Sequence, residues 1–152
     1  MVEHAAVNRR VVGSSPTGGA IILLLRGIVL SDIVFLSNDR KKNLLVSFCD
    51  AYKSVLSKHS LFSTYALSYL IKEIGLPVSS LLDDDINGYQ QIISKIYCKE
   101  IVLIIFFRDS FIDYNKSSLE HELFRVCDMH NIPYATNLAM AEILLNYLIL
   151  EK

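Results

Sequence analysis

Seven consecutive apolar residues, Ile101-Val102-Leu103-Ile104-Ile105-Phe106-Phe107, constrain the fold of this chain more than any other stretch. Most of them are β-branched or aromatic. A strand with one wet face alternates polar and apolar side chains, so an unbroken run of this kind needs cover on both faces. The central strand of a parallel sheet flanked by helices supplies that cover.

The flanking sequence agrees with such a sheet. Leu44-Leu45-Val46 reads as a first short strand running into the turn Ser47-Phe48-Cys49-Asp50, and Tyr52–Lys58 has helical spacing. Leu61–Thr64 reads as a second strand and Ala66–Ile74 as a helix, stopped by Gly75 with Pro77 beyond. Val78–Leu82 is a third strand, Asp83–Gly88 a loop and Tyr89–Tyr97 a helix. After the central strand, Ser117 or Ser118 caps a helix running to His130 with Glu120 and His121 in its first turns. Ile132–Thr136 is the last strand and Leu138–Leu150 a closing helix. Strands alternating with helices imply right-handed βαβ crossovers, hence a single doubly wound α/β domain of about five parallel strands. Such sheets bind ligands beyond the carboxyl ends of their strands.

The first forty residues fit this pattern poorly. Gly13–Gly19 is turn-like, and the string around Val11–Gly19 looks like the translation obtained when a start codon falls inside a transfer-RNA gene. Residues 1–40 are therefore read as an extension, disordered or not expressed, and the folded domain as residues 41–152. Arg9-Arg10 ahead of Ala20–Leu25 has the order of a secretion signal, but the intervening loop is long, the apolar core short, and no small-x-small cleavage site follows. The expected compartment is the cytoplasm. Fifteen basic residues against sixteen acidic ones leave a net charge of -1, which favours neither nucleic acid nor an anionic membrane as partner. Cys49, Cys98 and Cys127 are widely spaced, with no CxxC, and read as reduced. No Gly-rich dinucleotide loop or P-loop follows any strand, so no nucleotide cofactor is expected, and no metal centre either, since His59, His121 and His130 lack ligand spacing and Asp83-Asp84-Asp85 lacks the calcium-loop pattern.

Two strand ends carry a family resemblance. Ile104–Asp109 and Asn131–Asn137 resemble methylglyoxal synthase, whose pattern there is apolar-Ile-Phe-Phe-Trp-Asp and Asn-Ile-Pro-Val-Ala-Thr-Asn, at the same interval. Gly75–Gln91 also fits without a gap, ending in Asn87-Gly88-Tyr89-Gln90-Gln91 where the family has Gly-Gly-Asp-Gln-Gln. The resemblance spans roughly Asn43 to Leu148, with the first helix shortened. It implies a homo-oligomer that converts dihydroxyacetone phosphate to methylglyoxal and phosphate, through a carboxylate base and a phosphate cradle.

Much of that apparatus is replaced. By the resemblance, the catalytic carboxylate falls on Tyr89, and a phenol titrating near pH 10 is a poor base. The glycine-rich phosphate turn becomes Thr64-Tyr65-Ala66-Leu67-Ser68, and a second phosphate loop becomes Asp83-Asp84-Asp85. A histidine falls on Lys116, an aspartate on Leu119, and the His-Asp pair after the first strand becomes Phe48-Cys49-Asp50, where only Asp50, shifted by one, can stand for it. The remaining candidate bases are Asp109 and Asp85. The candidate phosphate or substrate contacts are Lys53, Thr64, Ser68, Gly88, Gln90, Lys116 and Asn137. Asp109 also suits a turn, Asn137 a helix cap and Lys53 a solvated helix. The expectation is a degenerate member that binds a small phosphorylated metabolite or inorganic anion, or serves in assembly. The alternative is an active synthase with a relocated carboxylate base.

Overall fold

The computed structural model describes residues 32–81, 85–111 and 118–150. Five parallel strands form one sheet: β1 (Asp32–Ser37), β2 (Ser60–Ser63), β3 (Val78–Ser80), β4 (Ile101–Phe107) and β5 (Tyr134–Ala135). Their spatial order is β3-β2-β1-β4-β5. Among the described residues six α-helices flank them: α1 (Lys42–Ala51), α2 (Lys53–Leu56), α3 (Tyr65–Glu73), α4 (Asp85–Tyr97), α5 (Ser118–His130) and α6 (Leu138–Leu150). The chain winds outward from β1 to β3, then crosses to β4 and winds the other way, which is the doubly wound α/β fold expected from the sequence.

β4 is the expected central strand, and all seven of its residues are buried. The pleat sends alternate side chains of β1 to opposite faces. Ile33 and Phe35 pack with Leu45, Phe48, Leu67, Ile71 and Leu145 from α1, α3 and α6. Val34 and Leu36 pack with Ile92, Ile96, Leu123 and Val126 from α4 and α5.

The start of the domain differs from the expectation. Leu44-Leu45-Val46 is not the first strand but part of α1, and the first strand is Asp32–Ser37, inside the segment assigned to the extension. A three-residue apolar run cannot by itself distinguish strand from helix. The wider spacing can: Leu45, Phe48 and Cys49 are buried at i, i+3 and i+4, while Leu44 is exposed. The sheet therefore takes in residues from Asp32, not from 41, and the apparent shortening of the first helix disappears. Other boundaries move less. Tyr52–Lys58 contributes only the single turn α2, and Asp85–Gly88 belongs to α4 instead of the loop.

Two contacts secure the amino edge of the sheet. Lys95 Nζ of α4 bonds Asp32 Oδ2 at 3.1 Å and Glu100 Oε2 at 2.7 Å, and lies 4.3 Å from the centre of the Phe62 ring. Burial opposes the ammonium charge, but the two carboxylates outweigh it and raise the Lys95 pKa. Lys53 Nζ bonds Ile74 O at 2.5 Å, where Gly75, at φ +83°, turns the chain out of α3. A Cβ at Gly75 would meet the flexible tip of Lys53, Nζ at 2.9 Å, which can shift, so it is the backbone conformation that demands glycine. Cys49 and Cys127 are buried free thiols, and burial pushes both up to about 12, so at neutral pH they are un-ionised core residues.

Two outcomes follow from this packing. Leu45→Ala should lower unfolding free energy in urea by about 2–5 kcal/mol, against about 0.5 kcal/mol or less for Leu44→Ala. Equal costs would contradict the helical assignment. Lys95→Met should lower the melting temperature at neutral pH. Because the native pKa is raised, the lysine's contribution is complete below its ordinary value of 10.5 and is lost as pH climbs through the raised value. The gap between variant and parent should therefore close above pH 10.5.

Candidate functional site

The winding direction reverses between β1 and β4, and a ligand crevice belongs at the carboxyl ends of those strands. Backbone bonding builds its floor. Asn38 N–H donates to Phe107 O at 3.1 Å, and Asn38 Oδ1 accepts the Asp109 N–H at 2.8 Å. One carboxamide thus ties the residue after β1 to the segment after β4.

Two adjoining clefts open there and share Asn38 and Asp39. One, of about 360 Å³, is lined by these two with Arg40, Asp109 and Phe111. The other, of about 260 Å³, runs from Leu36 and Ser37 beneath Thr64 and Tyr89 to Phe106, Leu119 and Glu120.

The charges around these clefts are matched in pairs. The Asp39 carboxylate accepts from Lys42 Nζ at 2.6 Å, and that hydrogen bond holds its pKa below the ordinary carboxylate value. Asp109 is buried. Its Oδ1 accepts the Phe111 N–H at 3.0 Å, closing an Asx-type turn, and its Oδ2 lies 3.7 Å from Arg40 Nε. Glu120, also buried, stands in the first turn of α5 with Oε2 3.4 Å from Arg108 Nη2. The Arg108 guanidinium lies 5.1 Å from the Phe124 ring centre, and Phe124 stacks on Phe106. A carboxylate in the first turn is further stabilised by the partial positive charge of the helix end.

The candidates from sequence divide clearly. Asp109 and Thr64 line the clefts, as does Tyr89, where the resemblance puts the base. Lys53 does not: it caps α3 beside Gly75, at the amino edge of the sheet. Ser68 is fully buried and its hydroxyl is spent on Tyr65 O and Ser80 Oγ, each at 2.7 Å. Gly88 is buried within α4, and Gln90 is exposed on the same helix. Asn137 caps α6, its Oδ1 accepting the Met140 N–H at 3.0 Å. Lys116, Asp83 and Asp84 lie outside the described residues, as does the side chain of Asp85, the first residue of α4.

Sequence reasoning missed Asn38, Asp39, Arg40 and Glu120. With β1 at Asp32–Ser37, the pair that the resemblance puts after the first strand falls on Asn38-Asp39, not within Phe48-Cys49-Asp50. The signal was present, because Asp39 and Lys42 have the same three-residue interval as Asp50 and Lys53. Glu120 had a weaker one: it is adjacent to Leu119, where the resemblance puts an aspartate.

The chain is similar to methylglyoxal synthases in sequence and in fold. Methylglyoxal synthase of Caldicellulosiruptor saccharolyticus is 42% identical over 118 residues, covering 77% of this chain and 84% of that protein. Methylglyoxal synthase of Thermoanaerobacter sp. is 41% identical over 120 residues, covering 75% and 87%. That of Clostridioides difficile is 36% identical over 118 residues, covering 77% and 86%. The crystal structure of methylglyoxal synthase from Elizabethkingia anophelis superposes with a TM-score of 0.69 at 29% identity, covering 76% of this chain and 77% of that one. No family model matches the chain.

Asn38→Ala would leave the Asp109 N–H without its partner and should cost roughly 1–3 kcal/mol in chemical denaturation. Lys53→Met should leave ligand binding in the clefts unchanged; any loss of affinity would return Lys53 to the site.

Proposed function

Because the chain belongs to the methylglyoxal synthase family, we propose that it keeps the family fold and its crevice but not the phosphate elimination, and works as a small-ligand-binding member. The observation that carries this reading is Tyr89, a phenol lining the cleft where the resemblance puts the base. The elimination needs a group that takes a proton near neutral pH, and an ordinary phenol does not. Neighbouring carboxylates are poorly placed to take over. Asp109 closes a turn and faces Arg40, and Asp39 is bonded to Lys42, which makes it a weaker base. The phosphate cradle is reduced as well. Of its two hydroxyl candidates only Thr64 lines the cleft, and Ser68 is turned into the packing.

The second reading is an active lyase with a relocated base. Glu120 favours it, because this residue lines the same cleft as Tyr89 and Thr64. Against it stands the Arg108 guanidinium, 3.4 Å from that carboxylate.

The full chain incubated with dihydroxyacetone phosphate should release no methylglyoxal above the uncatalysed rate. Release abolished by Glu120→Gln or Asp109→Asn would replace the non-catalytic reading with the second one.

A further inference from the structure

Glu120 bears on the kind of ligand the smaller cleft accepts. Among the described residues lining it, the charged ones are Asp39 and Glu120, both acidic. Two of the cations beside them are paired, Lys42 with Asp39 and Arg108 with Glu120. A phosphate dianion entering here would face two carboxylates and would have to break an ion pair to gain either of these cations. Solvent screens the exposed Asp39, so the repulsion is strongest at the buried Glu120.

Hydroxyl groups find the opposite situation. Both carboxylates accept hydrogen bonds, and Asn38 adds a carboxamide. Thr64 stands at the N-cap of α3, yet its side chain makes no capping bond, so its hydroxyl is not committed to the helix. A cavity of about 260 Å³ has room for a molecule of triose size.

Resting on the non-catalytic reading above, we propose that this cleft selects small uncharged polyhydroxy or hydroxycarbonyl compounds over their phosphate esters, with Glu120 as the residue that sets the preference. Ligand hydroxyls donate to Glu120 and Asp39, and Thr64 and Asn38 complete the polar contacts. Arg108, 3.4 Å from Glu120, offsets part of its charge.

Calorimetric titration of the full chain with dihydroxyacetone, glycerol, dihydroxyacetone phosphate and inorganic phosphate tests this. Saturable binding of dihydroxyacetone or glycerol is expected, with both phosphate probes at least tenfold weaker. Glu120→Gln should narrow that ratio at least threefold. Thr64→Val should weaken dihydroxyacetone binding several-fold with an unchanged melting temperature, which keeps the test decisive even where the Glu120 variant fails to fold. Tighter binding of either phosphate probe by the parent chain, or no saturable binding of any probe, overturns the inference. Methylglyoxal release would instead overturn the non-catalytic reading, whereas a phosphate preference without release overturns only this one.

Discussion

The pairing of β1 with β4 holds the remaining structure in place. The two strands run in parallel register from Ile33 opposite Leu103 to Ser37 opposite Phe107. Their alternating side chains seed both hydrophobic layers, so each helix packs, directly or through a neighbour, on residues these strands present. The same pairing creates the crevice. Where it ends, Asn38 bonds Phe107 O and the Asp109 N–H, and the two clefts open on either side of that junction. Core and site are thus consequences of one contact between segments 71 positions apart in the chain.

What fills the site is a set of carboxylates each held by its own cation: Asp39 by Lys42, Asp109 by Arg40, Glu120 by Arg108. Such internal pairing keeps charged groups at a crevice without leaving any of them isolated, and it limits what they can offer a ligand. A guanidinium beside a carboxylate is a weaker anion receptor than an unpaired one. On the reading proposed above, Tyr89 in place of the family's base and the reduced phosphate cradle act in the same direction as the electrostatics, and all three would turn the crevice away from phosphate ester chemistry while leaving its shape.

The sequence disclosed the second half of this molecule better than the first. Ile101–Phe107 was legible because seven consecutive apolar residues admit few alternatives to a doubly covered strand. Asn137 could be read as a cap because its residue type and its place ahead of an apolar helix agree. Asp32–Ser37 was harder. It continues a long apolar stretch whose beginning has no helical or strand period, so nothing local marked Asp32 as the start of a strand. Placing the first strand at Leu44–Val46 then carried Asp50 and Lys53 into the site in place of Asn38, Asp39 and Lys42. Glu120 stayed hidden for a different reason. A glutamate in a first helical turn is ordinary, and only the crossover geometry shows that this turn faces the crevice.

The central position of β1 also governs the order in which the chain can assemble. Ribosomes add residues at about 5–20 per second, so β1 emerges roughly 4–14 seconds before the strand that completes its pairing. During that interval Ile33, Val34, Phe35 and Leu36 form an apolar strand lacking one neighbour, and β2 can cover only its other edge. Without β1 the remaining strands divide into β3–β2 and β4–β5, each with an open edge of the kind that pairs with other chains. The start of the folded domain is therefore a matter of solubility as well as of length: a chain begun at residue 41 would lose the strand that joins its two halves.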